Sequence, residues 1–212
     1  MAYNVYLCSG LGITSPLNRP TLSAQQILDI NRTLQGYFDK VVRAHDALRL
    51  PGAQVFGSAS VQWLASYPTV LPHELLIYLL PTGATLVSKG KVEAGKPPAG
   101  HDGLTNPNLT GGTGSEVYFH FSDATLIANL MFHEAMHNKL ALGNAGLHPR
   151  GGLADGPQGG TGPLTPSTPL TNRNIDDMAR ALGVNRPQWT AGIQLLVNES
   201  MRPDSDPSKG LF

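Results

Sequence analysis

Residues 115–143 read SEVYFHFSDATLIANLMFHEAMHNKLALG. The first seven, Ser115 to Phe121, are dense in aromatic and β-branched side chains and predict a strand. Ser122 and Asp123 then offer oxygens to cap a helix from about Ala124 to Leu142, and Gly143 supplies its stop. A strand passed directly to an apolar helix sets the expected class, α+β. Working outward, Ile27, Ile30, Leu34, Phe38, Val41, Val42 and Leu48 recur at the helical period, so a helix capped by Ser23 runs to about Leu50, where Pro51 and Gly52 end it. Short β-rich runs follow at Gln54 to Phe56, Ser60 to Leu64, Glu74 to Leu80 and Thr85 to Ser88, the last two read as a hairpin or a tight strand pair flanking Pro81 to Gly83. Lys89 to Gly114 reads as a loop or lid, and Gly143 to Thr171 as a second irregular stretch. Asn174 is placed as the cap of a helix to Leu182, and Pro187 as the first residue of a last helix through Trp189 to Glu199. The whole is expected to be one domain over residues 1–202, a small mixed or antiparallel sheet with N- and C-terminal helices, followed by a flexible tail at 203–212.

Composition narrows the partners. The 212 residues carry 15 Lys+Arg against 15 Asp+Glu, and only 14% are charged, so no basic footprint exists for nucleic acid. The apolar runs, around Leu75 to Leu80 and Leu126 to Phe132, are far too short to span a bilayer. Met1 to Gly12 lacks a basic leader region, which implies a cytoplasmic chain or one exported without a signal. Cys8 is the single cysteine, excludes an internal disulfide, and reads as a small buried hydrophobe. His45, near the end of the first helix, reads as a surface or capping residue.

His133, Glu134, Ala135, Met136 and His137 spell His-Glu-x-x-His within the helix. Residues four apart differ by about 40° around a helix, so both imidazoles leave one face and can hold one ion. Glu134 lies about 100° away, beside such an ion and outside its coordination shell. A divalent zinc ion there lowers the pKa of bound water towards about 7, and Glu134 takes the water's proton and returns it to the leaving amine.

These residues resemble the zincin-like metallopeptidases, whose shared core is an edge strand followed by an active-site helix bearing this motif. The resemblance covers Ser115 to Gly143. It implies one zinc ion held by His133 and His137, Glu134 as general base, and Glu116 to Phe121 as an edge strand that aligns an extended peptide by β-addition. On that strand Tyr118 becomes a candidate oxyanion donor and His120 a candidate substrate contact. The chain departs from the pattern at Lys139, where the wider family favours an apolar residue. It also departs at Leu140 and Gly143, where metzincins carry Gly and the third His.

Three candidates remain for the third ligand. His148 follows His137 by eleven residues, just past a flexible turn. Asp155 lies in the same loop, and Glu199 lies on the expected last helix. His148 is preferred because it gives the long loop a purpose. The expected activity is hydrolysis of peptide bonds in a peptide or protein substrate. The alternative is a non-catalytic effector or interaction protein that keeps the metal helix on a zincin-like scaffold.

Overall fold

The computed structural model describes residues 1–9, 22–64, 69–81, 84–87, 91–94, 102–109, 111–119, 123–157 and 159–190. It is an α+β fold. Five strands form a mixed sheet: β1 (Ala2–Ser9), β2 (Ser58–Trp63), β3 (Leu75–Pro81), β6 (Gly103–Leu109) and β7 (Gly112–Phe119), in the order β2-β1-β3-β7-β6. The β1–β2, β1–β3 and β3–β7 pairs are parallel, and β6 joins antiparallel to β7. A separate two-stranded ribbon pairs β4 (Ala84–Val87) with β5 (Lys91–Ala94).

Among the described residues four helices accompany the sheet: α1 (Ala24–Leu48), α2 (Ala124–Leu140), α3 (Asn144–Leu147) and α4 (Asn172–Ala181). Helix α1 begins as its sequence demands, with Ser23 and Gln26 in a reciprocal capping box, and buries Ile30, Leu34, Phe38, Val41 and Val42. Alternation along the strands splits the core in two. Tyr3, Val5 and Leu7 of β1, Leu75, Ile77 and Leu79 of β3 and Val117 of β7 meet α1, α2 and α4 on one face. Cys8, Leu76, Tyr78, Leu80 and Tyr118 pack with Trp189 on the other. Among the described residues no helix is long and apolar enough to cross a membrane.

Several expectations change. The strand after the glycine-rich segment is not at the sheet edge: β7 lies between β3 and β6, and β6 is the edge strand. Lys89 to Gly114 is accordingly not a plain loop, since it holds β5, β6 and the start of β7. β6 escapes a hydrophobicity reading because the residues it turns towards α2 are Gly103 and Thr105, paired with Val117 and Ser115. Among the described residues β4 pairs with β5 and β3 with β1 and β7, so β3 and β4 do not form the expected hairpin or strand pair.

Gln54 to Phe56 form no strand; Asp46 instead receives the backbone N–H groups of Phe56 and Gly57 at 3.1 and 2.8 Å. α4 is capped by Thr171, with Asn174 as the reciprocal partner three residues in. Residues 187–190 are not helical. The Thr113 N–H donates to the Pro187 carbonyl and the Trp189 N–H to the Thr113 carbonyl, which lays Trp189 on the second core. Gln188 and Asn138 exchange amide hydrogen bonds of 2.9 and 3.1 Å, fastening this segment to α2. The remainder of the expected last helix, the tail at 203–212, His120 and Glu199 lie outside the described residues.

His45 is buried, not on the surface, because its two ring nitrogens lie 2.7 Å from the Ala179 carbonyl and 3.1 Å from that of Gln54. Lys139 occupies an apolar position by burying its stem and donating from Nζ to the His73 and Val184 carbonyls at 3.0 and 2.6 Å.

Candidate metal centre

Helix α2 starts at Asp123, whose carboxylate accepts the Leu126 N–H at 2.8 Å, and it is buried along most of its length from Ile127 to Lys139. It stops at Leu140, earlier than Gly143 suggests, because Ala141 takes the left-handed conformation at φ 55°. That backbone state is costly for a residue with a Cβ, of the order of 1 kcal/mol. It turns the chain so that the Leu142 carbonyl faces back and accepts from His137 Nδ1 at 2.6 Å. The stretch expected to be irregular then folds as α3 and two 3-10 turns, His148–Arg150 and Gly152–Ala154. The second turn brings the Leu153 carbonyl to 2.9 Å from His133 Nδ1. Asn174, fully buried at the start of α4, braces this segment by accepting the Leu153 N–H and donating to the Gly151 carbonyl, each at 2.9 Å.

His133, His137 and His148 converge, each offering a ring nitrogen, with all three nitrogens within 4.8 Å of one another. They lie close enough to hold a metal ion. A fit test follows from the donor set. Carbonyl oxygens only accept, so Nδ1 of His133 and of His137 carries the hydrogen and each Nε2 keeps its lone pair. Those two Nε2 atoms sit 3.1 Å apart. Two lone pairs at that separation repel unless a cation lies between them, and nitrogens bound to one zinc ion at about 2.0–2.1 Å with tetrahedral angles stand about 3.3 Å apart. The Leu153 and Leu142 carbonyls that accept from Nδ1 fix the orientation of each ring with Nε2 turned towards the other, as metal-binding imidazoles require. Burial lowers the His133 pKa to about 3, reinforced by the neighbouring His137, and burial also lowers that of His137. Both rings are therefore neutral at pH 7, the form that binds metal.

Glu134 is buried beneath β6. Its carboxylate accepts from Thr105 Oγ1 at 2.8 Å, and the same hydroxyl lies 2.9 Å from the Glu134 carbonyl. Gly103 is required here by close approach: a Cβ on it would lie 2.5 Å from Glu134 Oε1. Burial pushes the Glu134 pKa up to about 8, the Thr105 hydrogen bond opposes the rise, and the Glu116 charge adds to it. Glu134 and the three histidines share the wall of a cavity of about 300 Å3, whose other sides include Leu130, Pro163, Leu164 and Arg186.

One pH dependence follows for the metal-free chain. A carboxyl raised from 4.5 to about 8 binds a proton in the folded state that the unfolded state has lost, so between those values stability falls as pH rises. Glu134→Gln removes this liability. The variant is expected to gain stability over wild type progressively from pH 4.5 to 8, by a few kcal/mol at most, and the difference is flat outside that window. Urea midpoints of the two metal-free proteins against pH measure this directly, and a constant difference would contradict it.

The other residues singled out by sequence fall in distinct places. Tyr118 is fully buried on the sheet face away from α2 and does not line the cavity. His120 and Glu199 are not among the described residues. Asp155 is outside the histidine cluster and accepts the Gly156 and Thr161 N–H groups at 2.8 and 2.6 Å. Thr105, Gly103 and Asn174 were not singled out by sequence as parts of the site; their small size or ordinary capping role acquires meaning only beside α2. Comparison of the chain with protein-family models, curated proteins and solved structures returns no match.

Proposed function

We propose that the chain is a zinc-dependent hydrolase of peptide bonds, resembling the zincin-like metallopeptidases in its chemistry. The observation that carries this reading is the convergence of three histidine nitrogens on a cavity that the Glu134 carboxylate also lines. Three imidazole nitrogens suit zinc among the common divalent ions, and a set of three protein ligands leaves a position for water. A zinc ion held by His133, His137 and His148 supplies a Lewis acid and a water of lowered pKa.

Every remaining requirement falls to the chain. Glu134 takes the proton of the attacking water and returns it to the departing amine. Thr105 holds the carboxylate in place from β6. That strand pairs with β7 on one side, and among the described residues no strand pairs with its other side. An extended peptide added there would pass over Glu134, so the aligning role expected of Glu116 to Phe121 belongs to Gly103–Leu109 in this proposal.

The reading is tested by incubating the zinc-loaded protein with a peptide library, with and without a chelator. Chelator-sensitive cleavage is the expected result. Zinc bound without cleavage of any peptide favours the non-catalytic alternative. A finer check is Thr105→Val, which deletes the hydrogen bond to the base; kcat/KM is expected to fall roughly 10- to 100-fold with KM little changed, and Thr105→Ser to restore most of the loss. Equal activity of the Val variant and wild type would remove Thr105 from the mechanism.

A further inference from the structure

Asp155 neither joins the histidine cluster nor meets a basic side chain in an ion pair among the described residues, yet its carboxylate is fully engaged. Oδ1 accepts the N–H groups of Gly156 and Thr161, and Oδ2 accepts the Thr161 hydroxyl. These bonds close Gly156 and Thr161 onto Asp155. Gly160 fits inside the closure: a Cβ on it would lie 2.5 Å from the Gly156 carbonyl. Gly156, held in this closure, is the residue that meets His148. A Cβ there would lie 2.6 Å from Nδ1 and 2.7 Å from Nε2 of His148, nearly as close to each as to the Cε1 between them, so the glycine backbone lies over the face of the third histidine's ring. His148 itself is buried, and its ring centroid stands 5.2 and 5.4 Å from those of His133 and His137.

His133 and His137 are oriented by carbonyls that accept from Nδ1 and by the rigid helix that carries both. His148 comes from a short 3-10 turn, where backbone rigidity alone is weaker. Close packing against a fastened backbone is a second means of fixing a ring. We propose that Asp155 and Gly156 are positioning residues for the metal: Asp155 fastens the loop, and Gly156, made possible by its missing Cβ, holds the His148 imidazole facing the other two. This rests on the metal-centre reading above and assigns Asp155 a role other than ligand.

The test is the affinity for Zn2+ itself, measured by competition with a chromogenic chelator. Cobalt absorption spectra and thermal unfolding of the metal-free proteins accompany it. Gly156→Ala, whose added methyl must push the ring aside, and Asp155→Ala, which opens the loop, are each expected to weaken zinc binding about 10- to 100-fold. Both should shift the cobalt spectrum and leave metal-free unfolding cooperative. Asp155→Asn keeps an oxygen for the two N–H groups and an amide for the Thr161 hydroxyl, and is expected to bind within about fivefold of wild type. Wild-type affinity in both Ala variants overturns the proposal. So does an Asn variant as weak as Asp155→Ala, since that is the behaviour of a ligand. No zinc binding by wild type overturns the metal-centre reading and this inference with it, whereas binding that the Ala variants keep overturns this inference alone.

Discussion

Glu134→Gln is expected to keep one zinc ion per chain while slowing peptide hydrolysis by roughly 10²- to 10⁴-fold, the range that a positioned general base contributes. The variant is well matched to its purpose. Gln fills the same volume under Gly103, and its carbonyl oxygen can still accept from Thr105 Oγ1, so the packing between α2 and β6 survives. What disappears is the ability to take a proton from water. Neither Thr105 nor Ser115, the hydroxyls nearest the α2 backbone at this point, is basic enough to replace it. The loss should therefore appear in kcat, with zinc stoichiometry and affinity close to wild type. A Gln variant that cleaves the library at the wild-type rate would sink the assignment of Glu134 and leave the histidine cluster untouched.

His148→Ala is expected to weaken zinc binding by at least about a hundredfold, more than Gly156→Ala or Asp155→Ala, because a ligand is removed outright. Among the described residues no other histidine, cysteine or carboxylate joins the cluster as a substitute. The Asp155 carboxylate is occupied by Gly156 and Thr161, and Glu134 is held by Thr105 on the β6 side. The remaining pair, His133 and His137, still presents two Nε2 lone pairs 3.1 Å apart, so residual weak binding is expected. Equilibrium dialysis against buffered zinc distinguishes the cases. Unchanged stoichiometry and affinity would return Asp155 or Glu199 to consideration as the third ligand.

The parts of this site legible in sequence are those fixed by local geometry. The four-residue spacing of His133 and His137 places both rings on one face once a helix is granted, and the Asp123 cap with its apolar continuation grants it. His148 was legible more weakly, through nearness in the chain and a loop that otherwise lacked a purpose. What was hidden depends on contacts between distant segments. β6 is poor in apolar residues because Gly103 and Thr105 make room for Glu134, so the feature that accommodates the carboxyl group also erases the strand's hydrophobic signature. The face of a β7 residue is set by register: Ser115 and Val117 turn to the helices, which sends Tyr118 to the opposite core. Nothing in a run of β-favouring residues says which parity points where. Pro187 carried a genuine helix-start signal, but the strand-like pairing of its segment with Thr113 and the burial of Trp189 outweigh local preference. Ala141 is the converse case, a residue without left-handed preference that ends α2 two positions before the glycine.

The central claim is that His133, His137 and His148 together hold one metal ion. X-ray absorption at the zinc edge of the zinc-loaded protein tests it most directly. The account predicts one zinc per chain with three imidazole nitrogens at about 2.0–2.1 Å and a further oxygen from water. A first shell with fewer than three imidazoles, or one containing the Cys8 sulfur, would contradict it.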